Sequence, residues 1–278
     1  MSNGILVTGA TGTVGGEVAK QLQAAGVDFV CGVRKPEGLS NLPARKLDFA
    51  DQTTFAGALE GIGKLFLVAP PFTHDGAEGI FALIDQAAKA GVSHVVYLSV
   101  IGAETSPEGI HRRIEVAVEN SQMALTSLRP NFFMQNFQTY EAPNLARGII
   151  YLPTDEGRTS YVDVRDIAAV ALQALTTKDQ HHNKIYTLTG SEALTHGEIA
   201  GIFSKALGRG VQNVNPSAEQ YVQTLAEYGM AKADIDTMAG LYSFVRQGWC
   251  EAVSPDIKEV LGRAPLTMAD FARQVLVS

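Results

Sequence analysis

The chain has 278 residues, of which 46% are hydrophobic and 18% are charged. That length and composition predict a globular protein with a sizeable core, and they exclude a disordered linker or a small disulfide-stabilised scaffold. Because 22 Lys and Arg stand against 29 Asp and Glu, the formal net charge is -7, which disfavours general binding to the phosphate backbone of a nucleic acid.

Three further features of the composition narrow the class of protein. No Lys or Arg precedes the first apolar stretch, which argues against a secretory signal peptide and predicts a cytoplasmic protein. The longest apolar runs are far shorter than the ~20 residues of a membrane helix, so we expect no membrane span. Cys31 and Cys250 lie far apart without a CxxC pattern, which favours buried thiols over a disulfide or a metal site.

Strand-like and helix-like segments alternate through the first half of the chain. Residues 4–8 are predicted to form a strand, residues 12–25 an amphipathic helix that ends before Gly26, and residues 27–34 a second strand. Further strands are predicted over residues 45–49, 64–69, 93–100 and 124–128, and further helices over residues 51–60, 77–90 and 107–120. Repeated strand–helix units predict a Rossmann-type α/β fold, a doubly wound parallel sheet with helices on both faces.

The alternation stops after the strand at residues 124–128. Capping boxes that start helices occur at residues 195–198 and 217–220, with a weaker relative at residues 267–270. The last third of the chain is therefore predicted to be mostly helical. The expected division is a larger Rossmann domain of residues 1–135 and 160–188 and a smaller, mostly helical domain of residues 136–159 and 189–278.

A glycine-rich loop joins the first strand to the first helix, which is the context of a dinucleotide-binding turn. Gly9 permits the tight turn, Gly12 lets the backbone approach a pyrophosphate, and Gly15 allows close contact between helix and strand. The N-terminus of the helix then stabilises the phosphate charge. The alternative is a glycine-rich turn without a ligand. The predicted cofactor-binding residues of this loop are Gly9, Ala10, Thr11, Gly12, Thr13, Val14 and Gly15.

The residues after the second strand indicate which dinucleotide would bind. An acid there accepts hydrogen bonds from the adenosine ribose of NADH, whereas an Arg accommodates the 2′-phosphate of NADPH. The chain has Arg34 and Lys35 at this point and no acid, which favours NADPH; the alternative is a solvated basic pair. Asp48, in the third strand, is a candidate contact of the adenine, and a helix-capping acid is an equal alternative.

Motifs along essentially the whole chain show a family resemblance. They are VTGATGTVG, VRKP, LDFAD, LFLVAPP, VVYLSVIGA, LRPNFFMQNF, YVDVRDIAAVA, YTLTGSEALTHGEIAGIFSKALGR and LGRAPLTMADFAR. With them the chain resembles the NmrA-like branch of the atypical short-chain dehydrogenase/reductases. Within that group it is similar to NADPH-dependent quinone, azo-dye and triphenylmethane-dye reductases and to ergot-alkaloid iminium reductases.

The resemblance implies positions for further site residues. Ala69 and Pro70, after the fourth strand, would line the cofactor. Asn131 would lie near the nicotinamide, in a segment where backbone and amide groups can hold the carboxamide. Aromatic side chains would wall a flat acceptor, as expected of a largely apolar pocket, and ordinary core is the alternative for each of them. The aromatic candidates are Phe72, Phe132, Phe133 and Trp249.

The chain departs from ordinary short-chain dehydrogenases in its proton donor. The helix after the fifth strand lacks their Tyr and Lys four residues apart, and Tyr228 and Lys232, which have that spacing, lie too far along the chain. That helix carries His111 and Glu115 at i and i+4 instead. We predict His111 as a candidate proton donor whose pKa Glu115 raises or whose ring it orients. A solvated helix face is the alternative.

Hydride delivery to an electron-poor acceptor tolerates the missing Tyr, since water can supply the proton. The resemblance therefore implies an NADPH-dependent reductase of a planar, electron-poor small molecule such as a quinone, azo compound, dye or iminium. The alternative is an NADP(H)-sensing regulatory protein that does not turn its cofactor over and acts through a protein partner.

Overall fold

The computed structural model describes residues 4–39, 41–70 and 77–276. Spatial contacts between Cα atoms divide the chain into two compact units. Unit 1 consists of Met1–Pro130, Val164–Leu188 and Glu259–Gly262, and unit 2 consists of Asn131–Asp163, Thr189–Lys258 and Arg263–Ser278.

Strands and helices alternate as far as the sixth strand, and helices dominate after it. The strands are β1 (Gly4–Thr8), β2 (Phe29–Val33), β3 (Ala44–Lys46), β4 (Ile62–Val68), β5 (His94–Leu98), β6 (Ala124–Pro130), β7 (Ile149–Ile150), β8 (Lys184–Leu188) and β9 (Gln212–Asn213). The helices are α1 (Thr13–Ala24), α2 (Phe55–Leu59), α3 (Glu78–Lys89), α4 (Ile110–Asn120), α5 (Ala142–Ala146), α6 (Val164–Thr176), α7 (His196–Leu207), α8 (Ala218–Glu227), α9 (Lys232–Arg246), α10 (Asp256–Leu261) and α11 (Met268–Phe271).

Unit 1 is built on one seven-stranded parallel sheet in the order β3-β2-β1-β4-β5-β6-β8. Parallel neighbours need crossover connections, and helices supply most of them here. The strand order reverses between β1 and β4. The segments that follow these two strands therefore run in opposite directions away from the carboxyl edge of the sheet. Ligands of open α/β sheets bind at such a point. The predicted Rossmann-type fold is confirmed.

The core of unit 1 lies around the central strands. Leu6 of β1, Leu65 and Leu67 of β4 and Val95 of β5 are fully buried and pack in one apolar cluster with side chains of α2, α3 and α4. Continuous burial along these strands is what a sheet covered on both faces requires. On the other face α1 packs against α6, where Gln21 Nε2 donates to the Arg165 carbonyl oxygen at 3.0 Å.

Unit 2 is mostly helical and has an aromatic core. Phe137 and Phe203 meet edge to face, with ring centroids 4.9 Å apart, and Phe137 also contacts Tyr161. The three capping boxes predicted from the sequence are present at the starts of α7, α8 and α11. In each of them the N-cap hydroxyl accepts a backbone N–H three residues on, which satisfies a donor that the helix itself cannot pair.

Three short segments lie in a different unit from the domain expected for them. Glu259–Gly262 is expected in the smaller domain and belongs to unit 1. Residues 131–135 and 160–163 are expected in the Rossmann domain, and both belong to unit 2. They pair with each other, since Val162 N donates to the Phe132 carbonyl oxygen and Met134 N to the Val162 carbonyl oxygen, both at 2.9 Å. Met134 then packs in the aromatic core.

Two properties concern the whole described chain. No helix in residues 4–39, 41–70 and 77–276 is long and apolar enough to cross a membrane. Within the same ranges no group of three or more His, Cys, Asp or Glu could hold a metal ion. Cys31 and Cys250 are buried free thiols, and burial raises the pKa of each to about 11.

Candidate cofactor-binding and active site

The glycine-rich loop after β1 has the close packing that its sequence predicts. Gly9 has φ +65°, and Gly12 N donates to its carbonyl oxygen at 2.9 Å, which closes the turn. A Cβ on Gly15 would lie 2.3 Å from the Gly9 oxygen and 2.7 Å from the Thr8 oxygen. Such distances leave no room for a side chain, so α1 can approach β1 this closely only with glycine at that position.

The same loop fits the pyrophosphate of a dinucleotide. Gly12 is the N-cap of α1 and makes no side-chain cap, and no acid occupies the first helical turn. The first N–H groups of any helix lack intrahelical acceptors, so those of α1 are left for an external anion. Thr11, Gly12 and Thr13 are exposed, while Val14 and Gly15 are buried. The loop therefore presents backbone donors to solvent without a carboxylate that would compete for them.

Arg34 and Lys35 follow β2 at the same edge of the sheet, and both side chains are exposed. Among the described residues no ion pair engages either cation. This arrangement fits the 2′-phosphate of NADPH, which needs an uncommitted cation at that place. Asp48 is half-buried, and its Oδ1 accepts the Ala50 N–H at 3.0 Å. That bond gives Asp48 a turn-stabilising role, and its contact with adenine stays a prediction.

Ala69 and Pro70 directly follow β4, the strand beside β1 in the sheet, so they begin at the carboxyl edge where the glycine-rich loop lies. Ala69 is half-buried and Pro70 is exposed. Their predicted contact with the cofactor stays a prediction. Phe72, the first aromatic candidate for the acceptor wall, lies outside the described residues.

His111 lies in the first turn of α4 and is half-buried. Its Nδ1 is 2.8 Å from the hydroxyl oxygen of Tyr97, a fully buried residue of β5. Burial lowers the pKa of His111 below its ordinary value, and the nearby Glu115 carboxylate only partly opposes that shift. Glu115 thus raises the pKa of His111 as expected, but burial outweighs that effect and the net shift is downward. The hydrogen-bond partner that orients the ring is Tyr97, not Glu115.

Glu115 is committed to a buried ion pair. Arg129 of β6 donates to both carboxylate oxygens, from Nε at 2.9 Å and from Nη2 at 2.7 Å, and Ser127 and Arg112 donate to the same group. Burial opposes ionisation, but these hydrogen bonds hold the pKa of Glu115 at about 2. Glu115 thus joins α4 to β6 and is not available as a proton carrier near neutral pH.

Asn131, the first residue of unit 2 after β6, has a heavily used side chain. Its Nδ2 donates to Ser160 Oγ and to the Cys250 carbonyl oxygen, each at 2.8 Å, and its Oδ1 accepts the Phe132 N–H at 2.8 Å. An amide NH2 group has two protons, and both are taken within unit 2. Only a lone pair of Oδ1 remains for a nicotinamide carboxamide, and that predicted contact stays a prediction.

The aromatic candidates of unit 2 differ in their surroundings. Phe132 is half-buried and lies against Tyr242, with ring centroids 5.8 Å apart and planes 22° apart. Phe133 is half-buried and forms a backbone bridge with Val162. Trp249 is 60% exposed and stacks on Phe244. Phe132 thus shares contacts with the core, while Trp249 presents most of its ring to solvent.

Several residues of these sites are not among those identified from the sequence. Tyr97 lies within the motif VVYLSVIGA but reads there as one apolar-looking residue of a strand, and Ser160 and Phe244 belong to no motif. Only the spacing of His111 and Glu115 on α4 pointed to this part of unit 1. The partners of these two side chains come from other strands, so a periodicity within one element could not identify them.

Comparison with known proteins identifies the same family that the sequence motifs resemble. A sequence model of the NmrA-like family matches residues 1–258. An NAD(P)H azoreductase of Xenophilus azovorans is 39% identical, with 97% of this chain and 96% of the relative aligned. An agroclavine dehydrogenase of Claviceps fusiformis is 31% identical, with 96% and 95% aligned. The crystal structure of an NADPH-dependent quinone oxidoreductase of Escherichia coli, complexed with NADPH, matches with a TM-score of 0.86, 25% identity and coverage of 98% of this chain and 99% of that one.

Proposed function

The chain belongs to the NmrA-like family, and from that membership we propose that it is a reductase that binds NADPH and passes a hydride to a planar, electron-poor small molecule. The acceptor class comprises quinones, azo compounds, related dyes and iminium ions. The relatives named for azo and quinone reduction support this class. The single observation that carries the cofactor assignment is the uncapped N-terminus of α1 at a loop that admits only glycine at residue 15.

The cofactor supplies the hydride when it is bound, and the protein contributes positioning and charge. In unit 1 the N–H groups at the start of α1 hold the pyrophosphate, and Arg34 pairs with the 2′-phosphate. Phe132, Phe133 and Trp249 of unit 2 provide aromatic surface for the acceptor.

His111 is the proposed proton donor to the reduced acceptor. Its lowered pKa keeps the ring neutral near pH 7, so that it carries a single N–H. Burial raises the pKa of Tyr97 well above its ordinary value, and that phenol therefore remains an O–H group that can donate to Nδ1 of His111. The remaining ring proton then lies on Nε2, from which it would pass to the acceptor atom while a proton from water restores the neutral ring, so that no imidazolate is left.

Replacing Arg34 with Ala tests the cofactor assignment. A charge-assisted contact between Arg and phosphate is worth roughly 1.5–3 kcal/mol, so the KM for NADPH should rise by about tenfold to a hundredfold while the KM for NADH stays the same. Steady-state oxidation of each cofactor measures both values. The matched control is Lys35→Ala, which removes the neighbouring exposed cation and should change the NADPH preference less.

An unchanged preference for NADPH in the Arg34 variant would remove that residue from the site. The acceptor class is tested separately by NADPH oxidation with a panel of quinones, azo dyes and cyclic iminium compounds. Turnover with at least one of them is expected. Tight NADPH binding without turnover of any panel member would instead favour an NADP(H)-sensing regulator that acts through a protein partner.

A further inference from the structure

Two aromatic rings of unit 2 form an exposed parallel pair. Phe244 of α9 and Trp249, three residues beyond that helix, have ring centroids 5.1 Å apart and planes only 6° apart. Trp249 is 60% exposed and Phe244 is 42% exposed. Such large side chains more often bury their rings, so a stacked pair open to solvent needs a physical explanation.

The end of α9 explains why the two rings stack. Gly248 has φ +78° and donates its N–H to the Val245 carbonyl oxygen, while Trp249 N donates to the Phe244 carbonyl oxygen, both at 3.0 Å. These two bonds form a Schellman motif, in which the residues corresponding to Phe244 and Trp249 commonly make an apolar contact. The motif accounts for the contact between the rings, and it leaves the outer faces of the pair unused.

The segment after Trp249 is held firmly in place. Cys250 is buried, and its carbonyl oxygen accepts N–H groups from Asn131 Nδ2 at 2.8 Å and from Ser160 N at 3.0 Å. Ser160 Oγ donates in turn to the Ala252 carbonyl oxygen at 2.7 Å. The backbone on both sides of Trp249 is thus fixed by hydrogen bonds, and the aromatic pair is organised before any ligand arrives.

The same hydrogen bonds link the pair to the other aromatic candidates. The Asn131 side chain that fixes Cys250 also accepts the Phe132 N–H. One buried amide therefore positions both Phe132 and the residue next to Trp249. Phe132 and Trp249 come from segments more than a hundred residues apart in the sequence, yet both depend on this side chain for their backbone geometry.

We propose that the stacked Phe244–Trp249 pair is the surface on which the planar acceptor rests, and that Asn131 is the positioning residue that holds it there. This inference rests on the proposed reductase function and adds a binding surface to it. The electron-rich face of an indole suits an electron-poor quinone or azo ring, since offset stacking is the preferred geometry of such pairs. A flat aromatic ligand is expected because the pair is itself flat and is held in place before a ligand binds.

Trp249 makes a direct experiment possible because it is the only tryptophan in the chain. Its emission is titrated with 9,10-anthraquinone-2-sulfonate in the absence of NADPH, so that no turnover occurs. Saturable quenching, corrected for absorption by the quinone, is expected. Phe244→Ala should raise the Kd by about twofold to tenfold, the range that one aromatic contact contributes, and leave NADPH binding unchanged.

Leu241→Ala is the matched control, since Leu241 lies on the same helix, one turn before Phe244, and is 37% exposed. It should leave the quinone Kd unchanged. Trp249→Phe keeps a ring in the pair and should preserve the KM for the quinone, whereas Trp249→Ala should raise it without altering the KM for NADPH. Asn131→Ala should raise the quinone KM of the folded enzyme. A merely structural role would lower the urea midpoint and leave that KM unchanged.

Three outcomes would overturn the inference. Quenching that does not saturate, or a Kd that Phe244→Ala leaves unchanged, would show that the pair does not bind the acceptor. A shift of Trp249 emission with protein concentration alone would assign this surface to contact with a second copy of the chain. Because the titration contains no NADPH, it can succeed when the acceptor panel shows no turnover, and it can fail when the panel is reduced normally.

Discussion

Acid should destabilise unit 1 through His94, the first residue of β5, whose side chain is buried. The single hydroxyl hydrogen of Thr126 is donated to the His181 carbonyl oxygen at 2.6 Å, so Thr126 Oγ1 accepts from His94 Nε2 at 2.7 Å. The ring proton therefore lies on Nε2. The other nitrogen, Nδ1, is buried and has no hydrogen-bond partner among the residues that the structure describes.

Protonation of Nδ1 would place a second proton on a ring whose surroundings disfavour a positive charge. Burial, together with His182, Lys64 and His181, lowers the pKa of His94 from 6.5 to about 3. Between pH 6.5 and pH 3, His94 therefore binds a proton in the unfolded chain but not in the folded chain. Stability is lost as the pH falls below 6.5, and the loss continues towards pH 3. Between pH 7 and pH 5 this group should cost about 2 kcal/mol of unfolding free energy.

The assay is urea unfolding of the wild type and of His94→Gln at pH 7 and pH 5, followed by far-UV circular dichroism. Wild type should lose about 2 kcal/mol more than the variant over this interval. Burial also lowers the pKa of His196 to about 4, but that residue is present in both proteins and its effect cancels in the comparison. His182→Gln is the control, because it removes a neighbouring imidazole and leaves the buried Nδ1 in place. Equal acid sensitivity in wild type and His94→Gln would refute the reasoning.

Two further substitutions test the candidate site. Gly15→Ala would bring a Cβ to 2.3 Å from the Gly9 oxygen, so α1 must move away from β1 and NADPH affinity should fall by about tenfold or more, as measured by calorimetric titration. Gly201→Ala is its control, since among the described residues no heavy atom outside the neighbouring backbone of its own helix lies within 4 Å of the added Cβ. Unchanged affinity in Gly15→Ala would contradict the close-packing argument. His111→Phe should lower kcat by about a hundredfold for acceptors that require protonation and leave the Kd of NADPH unchanged, whereas unaltered turnover would assign the proton to water.

The sequence predicted the elements of unit 1 better at its centre than at its edge. Strands β1 and β4 are buried on both faces, and their apolar runs are long enough to identify. The third strand, expected over residues 45–49, is the short edge strand Ala44–Lys46, because the chain turns at Asp48 and Asp51 after it. The helix expected over residues 51–60 is helical in the α form only over Phe55–Leu59, after a 3-10 turn.

By itself the sequence determined whatever depends on neighbours along the chain. The glycine-rich turn, the three capping boxes and the alternation of strand and helix all follow from rules that act over a few residues. Their conformations are set locally, so a pattern in the sequence is enough to predict them.

Only the tertiary structure decided which side chains face one another across elements. The sequence paired His111 with Glu115, but burial between α4 and the sheet gives His111 to Tyr97 and Glu115 to Arg129. Asn131 likewise meets the Cys250 carbonyl 119 residues away. Such partners depend on strand order and on how each loop returns, and a buried polar group must find its hydrogen bonds wherever the fold brings a partner within reach.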